Sequence, residues 1–185
     1  MARKNVSPLG KLKFPRLNTP DIKYNNYNTK LLLDMSKPED VQFIEDITAF
    51  MNAEIDRQLQ DLPPKKLKDI GEPIFPFGPD TNKEGEETGL MSVKFTTKHP
   101  PRVVNASRED IKDIIFSGAE AYIAYGPKVG LREKENAFGL TLYLNAVQVM
   151  VNGCVGGSVD DFEDFSAPTE AGADGNDVGS NDVPF

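Results

Sequence analysis

Few residues in this chain are of a type that carries out chemistry. It has one histidine, His99, set in a Lys98-His-Pro-Pro101 turn, and one cysteine, Cys154. A lone histidine and a lone cysteine cannot assemble a His/Cys metal centre, and a single thiol forms no internal disulfide. No glycine-rich phosphate loop ending in Lys-Ser/Thr and no dinucleotide fingerprint is present. The Gly156-Gly-Ser158 string lacks the strand–turn–helix context of a nucleophile elbow. Asp160-Asp-Phe-Glu-Asp164 gathers carboxylates of the kind magnesium accepts, but metal catalysis needs them fixed on a rigid scaffold. Glu120 and Glu135 would be the candidates for a metal-dependent nuclease in the body, and neither has a carboxylate partner at helical or strand spacing. The sequence therefore predicts no enzyme, no metal site and no cofactor.

The other chemistry available is non-covalent. Single-stranded nucleic acid is held by cations that follow the phosphates and by aromatic faces on which bases stack. Lys94 and Phe95 share one predicted strand, Tyr122 and Tyr125 a second, Phe138 and Tyr143 a third, and Lys128, Arg132 and Lys134 fall between the last two. Strand neighbours alternate faces, so half of these aromatics must point into a core. With Leu140, Leu142 and Leu144 inside, Tyr143 points out; with Ile123 inside, Tyr122 points out. Residues 1–37 add Lys11, Lys13, Arg16 and Tyr24 to the candidate contacts, in a stretch with eight Lys or Arg against Asp21 and Asp34.

These groups need elements to place them. Residues 1–30, polar and rich in Pro and Asn, read as a basic extended arm or edge strand, and Thr29 to Met35 as a short strand. A helix is predicted over 36–62. Ser36 and Glu39 have capping-box spacing and Pro38 falls in the first turn. Val41, Ile44, Ile47, Met51, Ile55, Leu59 and Leu62 share one face, and Pro63-Pro64 stops the helix. From Gly71 to Thr88 the reading is loop, since the prolines of Pro73-Ile-Phe-Pro-Phe-Gly-Pro79 exclude a central strand. Its Phe75 and Phe77 are expected to cover the end of the core, with exposed stacking groups as the alternative. Asn82 to Gly89 is expected to be mobile. Strands are predicted over Gly89 to Lys98, at Val103-Val104, over Phe116 to Tyr125 and over Phe138 to Val151. Ser107 with Asp110 suggests a helical turn or a strand lead-in, and Gly126 to Lys134 an exposed basic loop. No internal repeat is visible.

Composition agrees with a mainly β body carrying one helix: 15 Gly and 14 Pro in 185 residues favour turns and short strands over a bundle. The net charge of −8 is unevenly spread. Val159 to Phe185 holds eight of the 29 acidic residues and no Lys or Arg, so the rest of the chain has 21 acids against 21 Lys and Arg. A Gly/Ala/Ser/Asp segment of this kind cannot bury enough apolar surface to order itself. The expected organisation is a body over 1–158 and a disordered acidic tail over 159–185. No apolar run has transmembrane length and no secretory signal opens the chain, which predicts a cytoplasmic protein with no membrane partner.

The last residues, Asp182-Val183-Pro184-Phe185, resemble the tip of bacterial single-stranded DNA-binding proteins, an acidic run ending Asp-Ile-Pro-Phe; Ser180 and Asn181 stand where that family has further acids. In such a tip the aromatic enters an apolar pocket and the acids meet a basic rim. The body points the same way. Phe138-Gly-Leu-Thr-Leu-Tyr-Leu-Asn-Ala-Val-Gln148 resembles the late strand of a phage-encoded OB-fold single-stranded DNA-binding family, and Ile115-Phe-Ser-Gly-Ala-Glu-Ala-Tyr-Ile-Ala-Tyr125 and Gly10-Lys-Leu-Lys-Phe-Pro-Arg-Leu-Asn-Thr-Pro20 fit it more loosely. The resemblance implies an OB-like Greek-key barrel that coats single-stranded DNA in phage replication, recombination and repair. It further implies that the tail touches the phage DNA polymerase and helicase-primase. A tail seated in a neighbour's groove would make a homodimer. The rival readings are a phage scaffold or adaptor that binds no DNA and, further off, the metal-dependent nuclease.

Overall fold

The computed structural model describes residues 5–61 and 70–153. Among them are seven strands and one helix: β1 (Gly10–Asp21), β2 (Asn26–Leu33), α1 (Pro38–Gln60), β3 (Phe77–Thr81), β4 (Glu87–Thr97), β5 (Arg102–Val104), β6 (Glu120–Arg132) and β7 (Ala137–Val151). The sheet runs β3-β4-β2-β1-β6-β7-β5, and a parallel pairing of β4 with β7 joins its two halves. Strands β4, β2, β1, β6 and β7 thus close into an OB-like barrel, with β3 and β5 attached outside the ring.

Alternation along the strands fills the barrel. Leu12 and Leu17 of β1, Leu31 and Leu33 of β2, Val93 and Phe95 of β4, Ala121 and Ile123 of β6, and Phe138, Leu140, Leu142 and Leu144 of β7 are all buried. In β7 the inward phase changes once: Ala124 pairs with Ala146 but Tyr125 with Leu144, which leaves Asn145 as an extra residue. Such a bulge moves the next inward side chains to the other parity, and Val147 and Val149 are the buried residues beyond it. Helix α1 lays Phe43, Ile47, Met51 and Ile55, one turn apart, on the same core.

Several expectations need correction. Within the predicted arm, residues 10–30 are not peripheral, because β1 pairs with β2 on one side and β6 on the other. Ser36 does not cap α1: its hydroxyl donates to Asp34 Oδ1 at 2.7 Å, and the N-cap is Lys37 without a side-chain bond. The carboxylate reaching back is Asp40, accepting the Asp34 N–H at 2.8 Å. The buried stripe of α1 runs through Phe43, with Val41 half-buried beside it. The proline-rich stretch ends in an edge strand, β3, rather than a loop. Asn82 to Glu86 is a hairpin turn and Glu87 to Gly89 already belong to β4; Asn82 Oδ1 accepts the N–H groups of Glu84 and Glu86. Gly126 to Arg132 continues β6, with Pro127 opposite Leu142, and the turn is confined to 133–136. Ser107 to Ile115 is irregular, neither helical turn nor strand. Leu62, Pro63-Pro64 and the whole segment 159–185, with its Asp182, Val183, Pro184 and Phe185 tip, lie outside the described residues.

Candidate nucleic-acid interface

The barrel register places lysines in a row on its outer surface. Lys13 of β1 pairs with Lys30 of β2, and Lys30 with Lys94 of β4. One residue before the Phe95–Leu142 pair, Lys94 lies beside Thr141, which pairs with Lys128 of β6. Four lysines therefore follow one row around the barrel, on β1, β2, β4 and β6; adjacent strands are about 4.8 Å apart, and β7, with Thr141, separates Lys94 from Lys128. The next row is Arg16, Asn28, Thr96, Tyr143 and Gly126. Tyr143 is 41% exposed, with Thr96 of β4 on one side and Gly126 of β6, which has no side chain, on the other.

Beside these rows is an open groove of about 390 Å³ whose charged lining is Lys30, Lys94 and Arg132, with Phe75 and Phe77 among its apolar residues. The two phenyl rings pack together, centroids 5.1 Å apart, and rest on the core. The segment that carries them is tied at both ends: Ile74 bridges Gly139 of β7, and Phe77 pairs with Val93 of β4. Arg132 is held along the groove because β7 has glycine at 139. A Cβ there would come within 2.6 Å of the Arg132 Cζ. The guanidinium crosses this gap, and Nη2 donates to the Leu140 carbonyl at 3.5 Å.

Not every cation of the row is available to a ligand. Lys13 Nζ donates to Asp80 Oδ1 at 2.6 Å and to the Thr81 carbonyl at 2.8 Å, fastening β1 to β3. Asp80 is buried, which pushes its pKa up, but hydrogen bonds from Lys13 and Thr88 outweigh this and hold it below the ordinary carboxylate value. Lys30, Lys94 and Arg132 remain the cations facing the groove.

No family model and no curated protein matches the chain. Solved structures do. Gp2.5, a single-stranded DNA-binding protein encoded by bacteriophage T7, superposes with a TM-score of 0.65 at 19% identity, covering 91% of this chain and 97% of that one. The single-stranded DNA-binding protein from bacteriophage Enc34 in complex with ssDNA gives 0.55 at 12% identity, over 80% of this chain and 86% of that one. The chain has the fold of phage single-stranded DNA-binding proteins.

Within that fold the sequence-predicted contacts divide. Lys94 and Arg132 line the groove, and Lys128 and Tyr143 stand in the adjoining rows. Lys134 lies in the β6–β7 turn two residues past Arg132, and it is exposed. Tyr24 is 65% exposed at the tip of the β1–β2 hairpin, where Lys23 Nζ sits 5.1 Å from its ring. Tyr122 is elsewhere, in a separate depression with Arg102, Arg108 and Gln148. Lys11 is also apart, paired with Glu120 and close to Asp34 and Lys37.

Two candidates point inward, away from any strand bound on the outer surface. Phe95 is fully buried. Tyr125 packs edge-on against Phe43 at 5.8 Å and Phe95 at 5.7 Å, and burial raises its phenol pKa. Lys13 is a structural cation rather than a free one. Sequence does not mark Lys30 as a contact, and it favours packing over exposed stacking for Phe75 and Phe77. They pack on the core and border the groove at once. Cross-strand register, the signal that brings Lys30 to Lys94, is not written in local sequence.

Proposed function

We propose that this protein binds single-stranded DNA along the groove bounded by Lys30, Lys94 and Arg132, with phosphates on the cations and bases against Phe75, Phe77 and Tyr143. The observation that carries this reading is the convergence of three cations from β2, β4 and β6 on an aromatic-lined open face of an OB-like barrel. The Enc34 protein, of the same fold, has been solved with ssDNA, which supports it. The protein is a binder, not an enzyme, and acts in phage DNA replication, recombination and repair in the host cytoplasm. Residues 1–158 form the DNA-binding body. The acidic segment 159–185 competes with DNA for the groove and recruits the phage polymerase and helicase-primase through Asp182, Val183, Pro184 and Phe185; docked in a neighbour, it would also make a homodimer.

Fluorescence anisotropy with a labelled oligothymidylate tests the core of this. Affinity should fall with salt at a log–log slope of about −0.7 for each phosphate contact, hence roughly −2 for the three groove cations. Binding that ignores salt, or no binding, would reject the reading and favour the DNA-free scaffold.

A further inference from the structure

Strand β1 loses its regular pairing with β2 between Lys13 and Arg16, and inside that break Phe14 adopts φ +52°. The left-handed region crowds the Cβ of an L-residue, and a bulky side chain is found there only when its surroundings hold it. The other non-glycine residues with positive φ are Asn5, Asn25, Asn136 and Arg108. Asparagine tolerates this region readily, so Phe14 is the one apolar residue so placed among the described residues. Burial does not reward the strain, because the ring is 63% exposed. What holds the backbone is a hydrogen bond from the Phe14 N–H to Ser117 Oγ at 3.0 Å. The chain thus keeps an aromatic ring presented to solvent at a position where glycine or asparagine would be easier.

The ring's neighbours suggest its use. Lys13 Nζ lies 5.6 Å from the ring centroid. Lys13 pairs with Lys30, which lines the groove, so Phe14 is next in sequence to the end of the lysine row. Exposed Arg16 follows two residues later. An exposed ring flanked by cations, continuous with a basic groove, is what a stacking platform for single-stranded nucleic acid requires.

We propose that Phe14 is a base-stacking residue that carries the bound strand beyond the groove and across β1. This rests on the single-stranded DNA reading above and extends its footprint to a second face.

The test uses the full chain, as wild type, Phe14→Gly and Phe14→Trp, with oligothymidylates of about 4 and about 16 nucleotides, the range of site sizes for OB folds. Phe14→Gly should hold or raise Tm, because glycine adopts positive φ without strain. It should bind the short oligonucleotide as wild type does and the long one roughly ten-fold more weakly. Phe14→Trp should restore the long-oligonucleotide affinity. Equal affinity of wild type and Phe14→Gly for the long oligonucleotide would overturn the proposal, as would equal losses at both lengths. A lower Tm would make Phe14 structural, and a change confined to self-association by sedimentation would make it a protein contact; either result also overturns it. If wild type binds neither length, the DNA reading itself fails, an outcome distinct from all of these.

Discussion

Lys30 and Lys94 stand opposite each other on neighbouring strands, and like charges so placed cost stability. In this row Asp80 forms its ion pair with Lys13, and its charge also acts on Lys30. Such an arrangement is understandable where an anion is to be bound. Lys94→Ala should therefore leave Tm unchanged or slightly raised while weakening oligonucleotide binding and reducing the salt slope by about 0.7. Melting curves and anisotropy over a salt series check both halves; a lower Tm with unchanged affinity would contradict the assignment. Gly139 offers a complementary handle. Gly139→Ala brings a methyl group against the flexible end of Arg132 rather than against backbone, so β7 should survive while the guanidinium is displaced. Weaker DNA binding at near-wild-type Tm is the expected result. At this scale the sequence was partly readable. Alternation placed Leu140, Leu142 and Leu144 inside and Tyr143 outside. For Lys94 and Phe95 it established only that they face opposite ways. Burial decides between them, with Phe95 at 0% exposure.

Elements were more legible than their junctions. Helix α1 and strands β4 and β7 follow from periodicity, but three features depend on contacts remote in sequence. Pro127 looks like a loop residue, yet β6 continues through it, since beyond the Val6–Ala124 bridge the pairings of β6 run to β7. The Asn145 bulge changes the parity of β7 without any local proline or glycine. Strand β3 is stabilised by partners far away in the chain, above all Lys13, whose ammonium meets Asp80 across 67 positions. This last contact carries a pH prediction. The Asp80 pKa is lower folded than its ordinary value of 3.8, so its contribution is present above that value and is lost as the pH falls through the folded pKa. Asp80→Asn removes one partner of a largely buried pair and should cost about 3 kcal/mol at neutral pH. It should also flatten the acid limb of the stability profile. Urea melts from neutral to acid pH would show both effects, and a variant as stable as wild type would mean that β3 is held by its backbone pairing with β4 alone.

Over the whole molecule, the neutral balance outside 159–185 and the charge of −8 within that segment must be considered together. A groove lined by Lys30, Lys94 and Arg132 attracts carboxylates as it attracts phosphates, and an acidic segment on the same chain acts at high effective concentration. Ending the chain at Ser158 should therefore tighten oligonucleotide binding, with the largest gain in dilute salt. The Debye length shortens from about 30 Å at 0.01 M to about 10 Å at 0.1 M, so the advantage should shrink as salt rises. The truncated chain should accordingly show the steeper salt dependence, because its phosphate contacts no longer replace contacts to its own acids. Anisotropy on both chains across a salt series separates the alternatives. A gain that fades with salt supports electrostatic self-competition, and a gain independent of salt points to steric masking. A loss on truncation would make the acidic segment part of the binding surface and remove it as a competitor.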